Sequence, residues 1–186
     1  MNIFYLDRDP EIAAQMMCDK HVVKMILESA QMLSTAHRVF NDPKWYADKV
    51  GLYKMAHKNH PSTIWVRSSS KHYKWLYDHM IALMEEYTYR YGKHHATERL
   101  IEPLRMEPWL IPDDGFVDPP MCMPDYCKSD DTVSGYQTYY ILKKLDFATW
   151  KRRVMPEWIN EKGIALELHR PQTTRGQDDL RCNSNH

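Results

Sequence analysis

Six polar residues, His21, Lys24, Glu28, Gln31, Thr35 and Arg38, recur at intervals of three or four within CDKHVVKMILESAQMLSTAHRVF, residues 18–40. On a helix they fall on one narrow stripe, while Val22, Val23, Met25, Ile26, Leu27, Ala30, Met32, Leu33, Ala36 and Phe40 fill almost everything else. The spacing predicts a helix that runs through a core and shows solvent only that stripe. One carboxylate between two cations and an imidazole is a place where proton transfer or charge stabilisation can sit. A buried helix whose polar edge merely meets solvent has the same pattern, and the segment alone leaves both readings open.

Two further groups carry candidate chemistry. His57 with His60 and His94 with His95 stand out among the ten histidines. They read as solvated or hydrogen-bonded side chains, or as a polar cluster that meets phosphate. As metal ligands they lack a companion carboxylate at helical spacing, and Pro61 interrupts the first pair. In the segment 136–153, Tyr136, Tyr139, Tyr140 and Trp150 alternate with Lys143, Lys144, Lys151, Arg152 and Arg153. Aromatic rings stack on bases and lysines neutralise phosphates, so this composition suits nucleic acid. There is no Gly-rich phosphate loop, no Gly-x-Ser-x-Gly elbow and no Cys-x-x-Cys pair among the residues, which argues against nucleotide-binding α/β folds.

The elements that must hold these residues follow from periodicity and breakers. Residues 2–6 (NIFYL) read as a short strand or extended start, followed by a turn at Asp9-Pro10. A first long helix is expected over about 11–40, a short piece over 44–57, and a second long helix over 69–91 between Ser68–Ser70 caps and a Gly92 stop. Residues 101–131, with six prolines, six aspartates and one glycine, read as a long acidic loop. A third long helix is expected over 132–154, and residues 164–186 read as a tail without periodicity. The whole of 1–186 is thus expected to be one compact all-α domain, with Val22, Ile26, Leu33, Leu76, Met80, Leu83 and Ile141 in one core.

Charge is uneven although the formal total is +0. Residues 31–100 carry eleven Lys/Arg against six Asp/Glu, residues 101–140 two against eight, and residues 141–186 nine against six. Phosphate attraction is local and screened within about 10 Å, so the two basic segments are sufficient for a nucleic-acid face. No run is long enough for a membrane span, and the acids of MNIFYLDRDP do not suit a secretion signal. The expectation is a cytoplasmic protein whose Cys18, Cys122, Cys127 and Cys182 are free thiols.

Taken in order, His21 to Glu28, Asn59-His60-Pro61, Tyr77 to Gly92 and Tyr136 to Lys144 resemble the pyrimidine-dimer DNA glycosylases, the phage endonuclease V type and its bacterial relatives. The matching segments cover about half the chain, and their order and spacing carry the likeness. The resemblance implies a compact helical domain that removes a damaged base and nicks the strand. It implies an N-terminal α-amine that forms an imine with the sugar C1′, and a glutamate seven residues after a histidine that supports the sugar cation and the later elimination. Here that position is Glu28. α-Amines ionise near about 8, so a useful fraction is neutral and nucleophilic. The phage member exposes a threonine after losing its first residue. In this chain residue 2 is asparagine, so Met1 is expected to stay and to supply the amine, with Lys24, one turn from Glu28, as the other candidate.

The expectation is therefore a DNA-acting glycosylase and abasic-site lyase with Glu28, Met1 and Lys24 as catalytic groups. His21, Arg38, His60, Tyr139, Lys143, Lys144 and Lys151 are expected to contact double-stranded DNA. The reading calls for no cofactor, no metal, no membrane and no obligatory protein partner. The rival readings are a base-modifying transferase on the same scaffold, a non-catalytic DNA-binding or inhibitory protein, and a metal-dependent hydrolase built from His57, His60, His94 and His95.

Overall fold

The structure is a computed structural model that describes residues 1–40, 43 and 45–161. Among the described residues it is all-α, with seven α-helices named by their bounds, α1 Pro10–Met16, α2 Asp19–Phe40, α3 Tyr46–Lys49, α4 Pro61–Val66, α5 Ser70–Tyr91, α6 Ile101–Leu104 and α7 Thr132–Lys143. Short 3-10 turns lie at Ala96–Leu100, Asp125–Cys127 and Leu145–Phe147, and the chain is helical again over 157–161. The expected tail over 164–186, and Cys182 in it, lie outside the described residues.

α2 and α5 form the centre. Val22, Ile26 and Leu33 from α2 meet Leu76, Met80 and Leu83 from α5, and all six are buried. α5 is delimited as its ends predict: the Ser69 hydroxyl accepts from Lys71 N, and Gly92 takes the left-handed conformation with φ +64°. α1 packs across α5 through Ala13 and Ala14, whose small side chains allow close approach.

The structure departs from the sequence expectation at several places, each for a tertiary reason. The helix over 11–40 is two helices, because Met17 turns extended and the buried Arg90 guanidinium takes the carbonyls of Gln15 (3.0 Å) and Met17 (2.9 Å). Residues 2–6 form no strand; Ile3 to Leu6 are buried without a neighbouring strand, and the carbonyl of Leu6 accepts from Gln137 instead. The piece over 44–57 is only the single turn α3, and the helix over 132–154 stops at Lys143 before a 3-10 turn. Residues 101–131 open with α6 and then run without regular structure apart from the 3-10 turn Asp125–Cys127. Ile141 is only half-buried, and Val23 and Leu27 are each 38% exposed, so the solvent face of α2 is wider than the polar stripe.

The long acidic stretch is strapped down. It crosses the α4–α5 corner through Ser70 N to Pro112 O (2.7 Å), Ser69 Oγ to Gly115 O (2.6 Å), Val117 N to His72 Nε2 (2.9 Å) and Trp65 Nε1 to Val117 O (2.9 Å). It then reaches the start of the chain, where Tyr5 OH donates to Asp118 (3.1 Å) and Asn2 Nδ2 to Cys122 O (3.0 Å).

Two outcomes follow from this packing. Burial pushes the imidazoles of His21 down to about 3 and of His37 and His79 to about 4, so all three are neutral in the folded protein. Unfolded, each takes up a proton near about pH 6.5. Stability is therefore full above about 6.5 and is lost as pH falls toward about 4, each histidine contributing a slope of up to about 1.4 kcal/mol per pH unit. Urea midpoints that stay flat between pH 7 and 4.5 would contradict this. The second outcome concerns Arg90: Arg90→Met should cost about 3–5 kcal/mol in chemical denaturation, because the buried Glu86 carboxylate keeps Arg153 alone as its partner and the carbonyls of Gln15 and Met17 lose their donor.

Candidate active site

Two α2 residues two helical turns apart seat the first four residues of the chain. At one end the Phe4 ring stacks on the His21 imidazole, with centroids 4.1 Å apart and planes 20° from parallel. At the other, the Met1 α-amine lies 3.8 Å from Glu28 Oε2. Seven residues of helix rise by about 10.5 Å, which three extended residues span, so residues 1–4 lie antiparallel along α2. The His-x6-Glu spacing is thus also the register of the N-terminal segment.

Glu28 stands between two amines. Its Oε1 pairs with Lys24 Nζ at 3.2 Å while Oε2 faces the Met1 amine. The carboxylate side chain is 14% exposed and the Lys24 side chain 66%, so the carboxylate is largely shielded and its lysine partner reaches solvent. A shielded carboxylate acts on nearby positive charge more strongly than one in bulk water.

His60 joins this pair from α4. Its Nδ1 caps the helix by accepting from Ser62 N (3.2 Å), which leaves the proton of the neutral ring on Nε2. Burial lowers its pKa, the Met1 amine and His57 lower it further, and Glu28 opposes them. The imidazole therefore shares one electrostatic environment with the amine and the carboxylate.

Beside this centre lies an aromatic and cationic group. His21 is held by Tyr140 OH at 2.5 Å and covered by Phe4, so it is buried and neutral. After burial, Lys144 and then Lys24 push its pKa down, which places both ammonium groups near this ring. Lys144 stands 4.7 Å over the Tyr139 ring and 5.8 Å over Phe4. Lys20 stands 4.8 Å over Phe147, and Lys143 5.4 Å over Tyr126. Phe4 has φ +55°, a left-handed backbone that bulky L residues seldom adopt; the surrounding contacts hold it there.

Of the residues singled out in the sequence, Met1, Lys24, Glu28 and His60 come together, and His21, Tyr139 and Lys144 flank them. Arg38 lies ten residues along α2 from Glu28, about 15 Å away. Its guanidinium there binds Tyr53 O (2.6 Å), Leu52 O (3.0 Å) and Asp48 (2.8 Å). Lys151 sits at the other end of α2, with its backbone N on Asp19 and its ammonium 5.2 Å over Tyr91. Sequence reasoning missed Phe4 and Asn2, whose roles depend on contacts more than a hundred residues away for Asn2 and on a strained turn for Phe4. Among the described residues, no three of His, Cys, Asp and Glu are grouped to hold a metal ion, so His57, His60, His94 and His95 assemble no such set.

Compared with known families, residues 1–99 match the model of a family described as pyrimidine dimer DNA glycosylase. The matched part contains Met1, His21, Lys24, Glu28, Arg38 and His60, whereas Tyr139, Lys143, Lys144 and Lys151 lie beyond it. No curated protein and no solved structure matches the chain.

Proposed function

The chain belongs to the pyrimidine dimer DNA glycosylase family, and from that premise we propose that it is a DNA glycosylase and abasic-site lyase whose attacking group is the Met1 α-amine. Its function is of the pyrimidine dimer DNA glycosylase type, with DNA as the substrate. The observation that supports the finer chemistry is the α-amine 3.8 Å from a shielded carboxylate that a second amine also pairs.

In this reading the neutral amine attacks C1′ of the deoxyribose. The glycosidic C1′–N bond breaks, and the base leaves with the bonding pair and takes up a proton. As the sugar ring opens, one amine proton passes to O4′ and a protonated imine forms between Met1 N and C1′. Glu28 stabilises the positive charge in both the sugar cation and the imine. The same carboxylate then removes a proton from C2′, the electron pair shifts, and the 3′ phosphate leaves. Water hydrolyses the imine and returns the amine. Lys24 holds Glu28 in place through Oε1 and is the alternative amine within reach of the sugar.

His21 supports this chemistry from below by carrying Phe4, and it stays neutral under neutral conditions. His60 meets the substrate from the α4 side. Tyr139 with Lys144 forms a cation-covered ring beside the amine, suited to stacking against nucleotide and pairing with phosphate. Lys143 and Lys151 extend the positive surface along double-stranded DNA, whereas Arg38, paired with Asp48 and braced on residues 52–53, acts on the DNA face through the position of that segment rather than through a free charge.

Two measurements test the proposal. Glu28→Gln should slow single-turnover cleavage of an abasic or dimer-containing duplex by on the order of a hundredfold or more, with DNA affinity retained. Cleavage at the parent rate by the folded variant would remove Glu28 from the mechanism and leave a DNA-binding protein or a base-modifying transferase as the better reading. Affinity for duplex DNA should fall steeply with salt, and the double change Lys143→Ala with Lys144→Ala should flatten the slope of log K against log salt by about 1–2. A slope unchanged by the double variant would take these lysines off the DNA face.

A further inference from the structure

The Met1 amine is held by more than Glu28, and the second hold runs through the acidic loop. Asn2 uses its whole side chain: Oδ1 accepts from Ile3 N (2.8 Å) and reaches Phe4 N (3.5 Å), while Nδ2 donates to Cys122 O (3.0 Å). The first two contacts link the Asn2 side chain to the next two backbone amides of the extended segment that leads into the left-handed Phe4; the third ties that segment to residues 120–123.

Residues 120–123 are themselves pinned. The fully buried Tyr136 donates its hydroxyl to Pro120 O (2.7 Å) and accepts from Cys122 N (3.5 Å). Met121 packs where Gly135 has no Cβ; a Cβ there would lie 2.9 Å from its sulfur. Cys122 Sγ lies 3.5 Å from Ser62 Oγ, and Ser62 N is the donor that caps on His60. One short bridge therefore touches the N-terminal segment, the start of α4 beside His60, and α7.

We propose that Asn2 and the 120–123 bridge form a positioning clamp that presents the Met1 α-amine to the sugar, making the acidic loop a working part of the active site. This inference rests on the reading that Met1 is the imine donor. A first residue is ordinarily the most mobile in a chain, and reaction rates depend steeply on how often the attacking atom occupies its productive position. The ion pair with Glu28 restrains the amine by charge alone, at 3.8 Å and without direction. The Asn2 side chain supplies the direction. In this reading the Asn2 amide aims the residue that precedes it.

The test is Asn2→Leu, which matches the bulk of asparagine, so that Met1 stays (checked by intact mass), and removes all three contacts. Protein and abasic duplex are mixed with borohydride, the trapping rate is followed in single turnover, and the adduct is mapped by peptide mass. With the parent adduct on Met1, the expected result is trapping slowed by on the order of tenfold to a hundredfold, with duplex affinity within about twofold and part of the adduct moved to Lys24. A purely structural role for Asn2 does not move the adduct between amines. Trapping on Met1 at the parent rate by the folded variant overturns the clamp and leaves Met1 as nucleophile. A parent adduct that maps to Lys24 overturns the reading beneath it, and the two failures are distinct. Should Asn2→Leu fail to fold, the same measurement on Tyr136→Phe, which loosens the bridge from its far side, decides between the same outcomes.

Discussion

The arrangement of this molecule depends on one buried cation. The Arg90 guanidinium, 0% exposed, holds Glu86 (2.6 Å), Asp19 (2.9 Å), and the carbonyls of Met17 (2.9 Å) and Gln15 (3.0 Å). A charge taken this far from water costs several kcal/mol unless its hydrogen-bonding directions are met, and here they are met by groups that no other position could bring together. The carbonyls close α1, the Asp19 carboxylate opens α2, and Glu86 lies on α5 itself. Arg90 thereby sets the corner between α1 and α2 and fastens that corner to the central helix. Asp19 extends the set by accepting from Thr149 and from Lys151 N, and Glu86 by pairing with Arg153, so residues 149–153 are drawn to the same point. Burial alone would push the Asp19 carboxyl up, but these donors hold it below the usual range.

Once the start of α2 is placed, the candidate site follows by helix geometry. His21 and Glu28 present themselves two helical turns apart on the side where residues 1–4 return. Phe4 takes the ring-stacking position and Met1 the charged one. The strained backbone at Phe4 is tolerated because the ring gains His21 on one face, with Tyr139 parallel beyond at 6.1 Å and Tyr140 edge-on. A first residue held in this way would need little reorganisation to act as the nucleophile proposed above.

Charge is divided between two regions. Lys20, Lys24 and Lys144 stand over aromatic rings or beside Glu28, around the N-terminal segment and the His21 ring it covers, and Lys143 stands over Tyr126. Four of the six aspartates of the long loop are engaged elsewhere: Asp113 on Ser70 at the α5 start, Asp118 on Tyr5 and Arg8, Asp125 on Lys128, and Asp131 on Arg8 and the α7 N-terminus. An acidic segment beside the candidate site is compatible with the phosphate binding proposed above, because partners and screening confine each of these charges to its own neighbourhood.

The sequence by itself determined the all-α class, the extent of α5, and which residues of α2 and α5 meet in the core. These are written in local periodicity and caps, and local rules decide them: Ser69 and Gly92 close α5, and Val22, Ile26, Leu33, Leu76, Met80 and Leu83 recur at helical spacing. The common face of His21, Lys24 and Glu28 was legible for the same reason. Tertiary structure alone decided the rest. Nothing in Met17-Cys18 breaks a helix; the break exists because Arg90, more than seventy residues on, takes the carbonyls. Arg38 lies on the same stripe as Glu28, yet residues 52 and 53 claim its guanidinium, since a polar side chain is used by whichever distant backbone groups fold against it. The same holds for Asn2 and Cys122, joined across 120 positions. Periodicity specifies which face of an element is buried, but it carries no information about which remote segment will meet its polar edge.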